Sequence, residues 1–232
     1  GKKGFEILSA PDISAAFGGG GSWLIDPNNI LIVAGGGNTN VNDTAPFVTG
    51  DDGASLGVDL ILTALTMADS ANVTITTGSG GGNAEDGDIS LFTNIDYNGI
   101  GTGDSLTLIA PAGVNANGDA TVGDITIRPN TEIHDSAGTD DNLSINLFAS
   151  GDVLLNSNVT LETNGGNFTV GFVDQNTPTN NIIPTSFTNN GTISTAGRTG
   201  VSGKTEATDG GDININSSGS MSAGSLGANG GV

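Results

Sequence analysis

The 232-residue chain contains no cysteine, and it carries only five lysines and arginines against 25 aspartates and glutamates. Without cysteine no disulfide framework can form, and that count alone leaves the redox compartment open. Between Gly4 and Ile127 there is not one Lys or Arg. Binding to a phosphate backbone is thereby excluded as a main activity, because affinity for nucleic acid comes largely from Lys and Arg displacing counterions. An anionic membrane surface is disfavoured on the same ground. Stretches rich in Ala, Leu, Glu and Lys are missing, which rules out a helical bundle. No apolar run approaches the ~18 residues needed to span a bilayer. No secretory leader is expected at the start of the given sequence, where basic Gly1-Lys2-Lys3-Gly4 is followed by Phe5-Glu6-Ile7-Leu8, too short and too polar for an apolar segment. The sequence is read as a mature chain or a piece of something longer.

Glycine is abundant, with 39 residues, more than twice ordinary usage. Disorder is one meaning of such a composition, yet 35% hydrophobic residues with only 13% charged is too apolar for a chain kept unfolded by charge. A folded, glycine-punctuated protein is expected. The net charge of -20, together with the wealth of Asn, Thr, Ser and Gly, fits a bacterial extracellular protein whose long repetitive sheet dispenses with disulfides.

Short alternating apolar pairs recur along the chain: Val73/Ile75, Ile89/Leu91, Leu106/Leu108, Ile125/Ile127, Leu143/Ile145, Phe168/Val170 and Ile213/Ile215. Each encloses one polar residue, the period-2 signature of a strand with one buried face. The near-constant spacing of the first five predicts a repeated unit of about 16 to 20 residues, too short for a βαβ crossover. The later intervals read as a loop insertion and then a stretch holding more than one rung. Gly87-Asp88, Gly103-Asp104, Gly123-Asp124, Gly151-Asp152 and Gly211-Asp212 each precede an apolar strand position. At such corners Gly supplies positive φ, and Asp bonds nearby backbone amides.

The fold expected is all-β, a right-handed parallel β-helix (β-solenoid) with one short flanking α-helix, with Val, Ile and Leu inward and Thr, Ser and Asn outward. Crossover chirality favours the right hand. The competing reading is an antiparallel sandwich, against which stands the scarcity of Asn-Gly hairpin turns. The helix is expected from the apolar stripe Leu56, Leu60, Ile61, Ala64, Leu65 and Ala68, with Ser55 as its N-cap. The whole chain, 1–232, reads as a single β-helix segment. It divides into an irregular excursion with the helix at 34–68, regular rungs at 72–170, a loop insertion at 174–184 and repeat rungs at 187–232.

Ser22-Trp23-Leu24-Ile25-Asp26-Pro27-Asn28-Asn29-Ile30 resembles a segment of filamentous-haemagglutinin-like exoproteins, which the two-partner route exports from diderm bacteria. The order that follows is similar to that family: a short helix ending near Ala64-Leu65, then Asn72-Val73-Thr74-Ile75-Thr76-Thr77-Gly78, Gly87-Asp88-Ile89 and Ser105-Leu106-Thr107-Leu108. Gly210-Gly211-Asp212-Ile213-Asn214-Ile215 is similar to its downstream repeats. The likeness spans residues 20 to 232. It implies a β-helical shaft in a secreted or cell-surface adhesin or filament, with an outer-membrane transporter as export partner. The Asn-Pro-Asn-Leu and Asn-Pro-Asn-Gly-Ile pair of the family's secretion domain is absent, so the segment is not expected to be the export signal.

Candidate chemistry is sparse, and no catalytic, cofactor-binding or metal-ligating residue is assigned. Trp23 suits a core anchor better than a sugar platform. His134, beside Asp135, has no Ser, Cys or second His in a recognisable arrangement and reads as a surface residue. Asp51-Asp52, Glu85-Asp86-Gly87-Asp88 and Asp140-Asp141 carry oxygens of the kind that bind Ca²⁺, but none matches a known calcium loop, and solvated corners are the default. A polysaccharide lyase would need a cationic base beside its metal, and a glycosidase a carboxylate pair at about 5–9.5 Å; nothing singles out such a pair. Asn-x-Ser/Thr triplets stand at Asn42, Asn72, Asn142, Asn158, Asn167, Asn190 and Asn216. Ice binding wants flat Thr ladders, and here Thr is interleaved with Asn and Asp. The function expected is structural and adhesive rather than catalytic, the partners a cell-surface receptor or glycan or further copies of the chain in a filament. The alternatives kept are a Ca²⁺-dependent carbohydrate-binding module and a β-helix polysaccharide-degrading enzyme.

Overall fold

The computed structural model describes residues 29–36, 54–66, 70–77, 85–114, 119–136, 141–173, 181–197 and 209–228, together with the backbone of 22–25. The Trp23 side chain, Asp51-Asp52, Asp140, Asn42 and Ala68 lie outside what is described, as do most of the 34–54 excursion and 174–180.

The chain begins with β1 (Ser22–Ile25), β2 (Ile30–Val33), β3 (Ala54–Gly57) and helix α1 (Val58–Leu65). Next come β4 (Asn72–Thr76), β5 (Ile89–Leu91) and β6 (Ile95–Asp96), then β7 (Asp104–Ala110), the two-stranded β8 (Gly113–Val114) and β9 (Ala120–Thr121), β10 (Ile125–Ile127) and β11 (Glu132–His134). They are followed by β12 (Leu143–Ala149), β13 (Asp152–Leu155), β14 (Thr160–Glu162), β15 (Phe168–Val170), β16 (Ser186–Asn189) and β17 (Thr192–Ser194). The last three are β18 (Ile213–Ile215), β19 (Met221–Ser222) and β20 (Ser225–Gly227).

Three sheets take these strands in rotation. The first has the order β1-β4-β7-β12-β15-β18, the second β3-β2-β5-β10-β13-β16-β19, and the third β6-β11-β14-β17-β20. Every pairing within them is parallel, which excludes the antiparallel sandwich. From β4 onward the chain visits first, second and third sheet and returns to the first, interrupted only by the antiparallel β8–β9 pair.

The repeat length departs from expectation. Val73 pairs with Leu106, and Leu106 with Ile145, whereas Ile89 pairs with Ile125 in a different sheet. From β4 onward, steps between adjacent strands of the first sheet are 33, 39, 23 and 45 residues. The 16-to-20-residue ladder is thus an alternation between two sheets within a longer circuit. The third sheet hides the rest, because its strands offer a single inward residue each, Ile133, Leu161 and Ile193 among them, and one residue has no period. The 45-residue step is likewise one lengthened circuit, not several.

Inward positions carry the core. Fully buried Val73, Ile75, Leu108, Ile145, Leu147, Phe168 and Val170 line the first sheet, Ile30, Ile89, Ile127, Val153 and Phe187 the second. These apolar side chains bury in one cluster, each at roughly 25 cal/mol per Å² of apolar area removed from water. Helix α1 buries Val58, Leu60, Ile61, Ala64 and Leu65 and lies against β3, β4 and β6. It therefore closes the end of the third sheet, whose first strand is β6. Ser55 is not its cap: strand pairing with Leu31 takes Ala54–Gly57 into β3, and the cap position falls on Gly57 with no side-chain hydrogen bond.

The Gly-Asp corners use glycine in two ways. Gly87 and Gly103 have φ of 93° and 82°, the left-handed region expected of them. Gly123 and Gly211 do not, but a Cβ at Gly123 would overlap the Gly87 carbonyl, and one at Gly211 the Gly166 carbonyl. There the requirement is the close stacking of one backbone on the next.

Candidate functional site

Inward side chains are mostly apolar, with Asp104, Thr77, Thr163 and Thr195 among the buried exceptions, and the parallel register sorts the outward side chains into columns. On the second sheet the residues at the start of the strands build one such column: Asn29, Asp88 and Asp124 just before β2, β5 and β10, and Asp152 and Ser186 as the first residues of β13 and β16. The Asn29 side-chain oxygen accepts from the Gly87 and Asp88 amides at 2.8 and 2.6 Å. Asp88 Oδ1 accepts from the Asp124 amide at 2.9 Å, Asp124 Oδ1 from the Asp152 amide at 2.6 Å, and Asp152 Oδ1 from the Ser186 hydroxyl at 2.8 Å. Each carboxylate holds the next circuit in register.

This column places like charges on neighbouring strands. Burial pushes the Asp88 carboxyl above its ordinary range, with the charges of Asp124, Asp86 and Glu85 adding to it against the Asp124 amide. Burial likewise raises Asp124, reinforced by Asp152 and Asp86. A shallow groove of about 180 Å³ runs beside the column, lined by Asp124, Thr126, Asp152, Leu154, Ser186 and Thr188 together with Val153. Farther along the same face Arg128 stacks over the Phe92 ring at 3.5 Å.

The third sheet carries a second charged column. Register places Asp96, His134 and Glu162 side by side on successive strands, and His134 Nδ1 lies 3.1 Å from Glu132 Oε2. Burial works against the Asp96 charge, but the Ser136 hydroxyl and amide, the Asn98 amide and His134 outweigh it and hold that carboxyl below its ordinary range. His134 is half-buried on the outward face of this sheet, among acids that the sequence did not bring to it. No group of three or more metal-ligating side chains occurs among the described residues.

The first sheet differs. Asn72, Ser105, Ser144, Asn167 and Asp212 form one outward column, and Thr74, Thr107, Asn146, Thr169 and Asn214 the next. Several of the Asn-x-Ser/Thr asparagines are consumed in such ladders. Asn72 accepts from the Ser105 hydroxyl, Asn167 from the Asp212 amide, Asn142 from the Gly103 amide, and Asn158 donates to Asn130. Asn130 and Asn158 both adopt positive φ, 60° and 58°, stacked at the same corner.

Of the acidic clusters expected from sequence, Asp88 joins the carboxylate column, Glu85 accepts from the Asn29 amide at 3.0 Å, Asp86 adds its charge beside Asp88, and Asp141 accepts from the Gly99 amide at 2.7 Å. The missed feature is the column itself. Its signal was present in the recurring Gly-Asp pairs, but only the register shows that the partner amide lies on the next circuit.

Comparison with known families, curated proteins and solved structures finds no match for the chain.

Proposed function

We propose that the three parallel sheets are the faces of one right-handed β-helix, and that this segment is a non-catalytic shaft of a secreted or cell-surface bacterial adhesin or filament. The observation that carries the reading is the continuity of the side-chain columns: the same inward apolar and outward polar positions repeat through six, seven and five strands of the three sheets. Stacking of this kind makes a quasi-one-dimensional body in which each unit contacts only its neighbours. Its rise is about 4.8 Å per strand, and the outer carboxylate columns keep it soluble by net charge. The similarity of Trp23 to Ile30 and of the Gly-Asp-Ile repeats to filamentous-haemagglutinin-like exoproteins supports export by the two-partner route. At the last circuit Met221 and Leu226 are 54% and 42% exposed, an apolar surface suited to stacking of a further unit.

The reading is tested on producing cells with antibody against this segment. Immunogold labelling of intact cells is the expected result. Labelling only after permeabilisation contradicts it.

A second reading, hydrolysis of a polysaccharide, has one observation in its favour: two carboxylates from successive circuits, Asp124 and Asp152, line the same groove, and glycoside hydrolysis uses a pair of carboxylates. Release of reducing ends that disappears in Asp152→Asn would establish it.

A further inference from the structure

The three outward faces differ in charge. The second sheet presents Asp88, Asp124, Asp152 and Arg128, and the third Asp96, Glu132, His134 and Glu162. Across the first sheet, from Asn72 to Asn214, the outward columns hold one charged side chain among the described residues, Asp212. In a chain of net charge -20, a nearly neutral face several strands wide calls for a partner that is itself uncharged.

Its chemistry narrows that partner. The Ser105 hydroxyl donates to Asn72 Oδ1 at 2.6 Å, and the Asn146 amide to Thr107 Oγ1 at 3.1 Å. These cross-strand bonds fix the side chains before any ligand arrives, so little rotamer freedom is lost on binding. The hydroxyls of Thr74 and Thr169 and the amide of Asn214 have no hydrogen-bond partner among the described residues. Hydroxyls and carboxamides each donate and accept, which matches a ligand whose groups also do both, as sugar hydroxyls do. Along one edge runs the column Thr76, Ile109 and Phe148. There Phe148 packs on Phe172 with ring centroids 5.6 Å apart, and Phe172 and Val173 are 42% and 40% exposed. A polar ladder with an apolar aromatic rim suits a pyranose, which has hydroxyls at its edge and C–H bonds on its face. A second copy of the chain is the competing occupant, and it is distinguished below by a concentration-dependent dimer.

We propose that the outward face of the first sheet binds a neutral polysaccharide chain laid across the strands, with Thr74, Thr107, Asn146, Thr169 and Asn214 as the hydrogen-bonding ladder and the Phe148–Phe172 pair as the apolar rim. The proposal deepens the adhesive reading above and rests on it. Anionic glycans are repelled by the charge of the chain, and no metal enters the contact.

The experiment is affinity electrophoresis of the whole chain in native gels containing dextran, mannan, arabinogalactan or β-glucan, with EDTA throughout, followed by calorimetry at high salt with whichever polymer retards it. The expected result is retardation by at least one neutral polymer, insensitive to EDTA and salt. Binding should weaken at least about tenfold in Thr107→Glu and in Asn214→Glu, as a charge without a partner displaces ladder hydrogen bonds, and also in Phe172→Ala. Thr192→Glu, at an exposed position of the third sheet, should bind as the parent does. Asn214 and Phe172 are exposed, so these two variants remain informative if Thr107→Glu fails to fold. Retardation by none of the polymers overturns the proposal. So does loss of binding in Thr192→Glu alone, or a concentration-dependent dimer abolished by Asn214→Glu without any retardation. An elongated particle by small-angle scattering would leave the shaft reading standing in each of those cases, whereas a compact particle would remove both.

Discussion

Asp88 accepts a hydrogen bond at 2.9 Å from the backbone amide of Asp124, 36 residues further along the chain. One carboxylate thus fixes the register of the next circuit and stands beside that circuit's own carboxylate. Register and charge are set by the same side chains, and the first prediction follows from that coupling.

Asp88 and Asp124 both have raised pKa values in the folded state, from burial first and neighbouring acids second. A carboxyl raised on folding binds more protons in the folded chain, so its contribution favours folding at acid pH and is lost as pH rises through the folded value. Asn29 occupies the same column and accepts the equivalent amide bonds, so asparagine fits there. Asp88→Asn and Asp124→Asn are expected to raise stability at neutral pH by about 0.2–1 kcal/mol each, the scale of partly exposed charge interactions. The gain should vanish below the ordinary aspartate range. Thermal melts across pH 3 to 8 check this, and Asp96→Asn should show the opposite sign, because that carboxyl is held low.

Glycine at the stacked corners is required by contact. Gly123→Ala would drive a Cβ into the Gly87 carbonyl and is expected to cost more than about 2 kcal/mol, the scale of overpacking that the backbone must absorb. Gly227→Ala meets nothing within 4 Å and should be near neutral. Urea titrations of the two variants give the comparison.

Tyr97 is fully buried and donates its hydroxyl to the Glu162 carbonyl at 2.7 Å. Tyr97→Phe is expected to cost about 0.5–1.5 kcal/mol, the net value of one such bond, with the carbonyl's desolvation added. Phe168→Ala, at a fully buried position in the first sheet, should cost about 3–5 kcal/mol. Denaturant unfolding of both variants measures the difference.

How far the fold was legible depends on how many inward residues a strand presents. All seven alternating pairs, from Val73/Ile75 to Ile213/Ile215, lie in strands of the first and second sheets. Their period of 2 is a direct consequence of the pleat. The third sheet was hard to see because its strands are short and hold one inward residue each, Ile95, Ile133, Leu161 and Ile193, so the sequence spacing follows the alternation of the other two sheets. The helix was legible from its stripe, but not its start, since Leu56 is buried through strand pairing and not through α1. The carboxylate column left only the recurring Gly-Asp pairs as a signal, and the uncharged face left none. Both join residues 23 to 59 positions apart, and only the observed register makes them neighbours.

The central claim is in-register parallel stacking through every circuit, and the absence of native cysteine makes spin labelling its most direct test. Double-cysteine variants with one label at Thr74 and the other at Thr107, Asn146, Thr169 or Asn214 sample one to four steps of the first sheet. The account predicts label separations that grow by a constant increment of about 4.8 Å per step, so that Thr74 and Asn214 are on the order of 19 Å apart between backbones. Separations that fail to rise in that order, or that place Thr107 farther from Thr74 than Thr169 is, would contradict it.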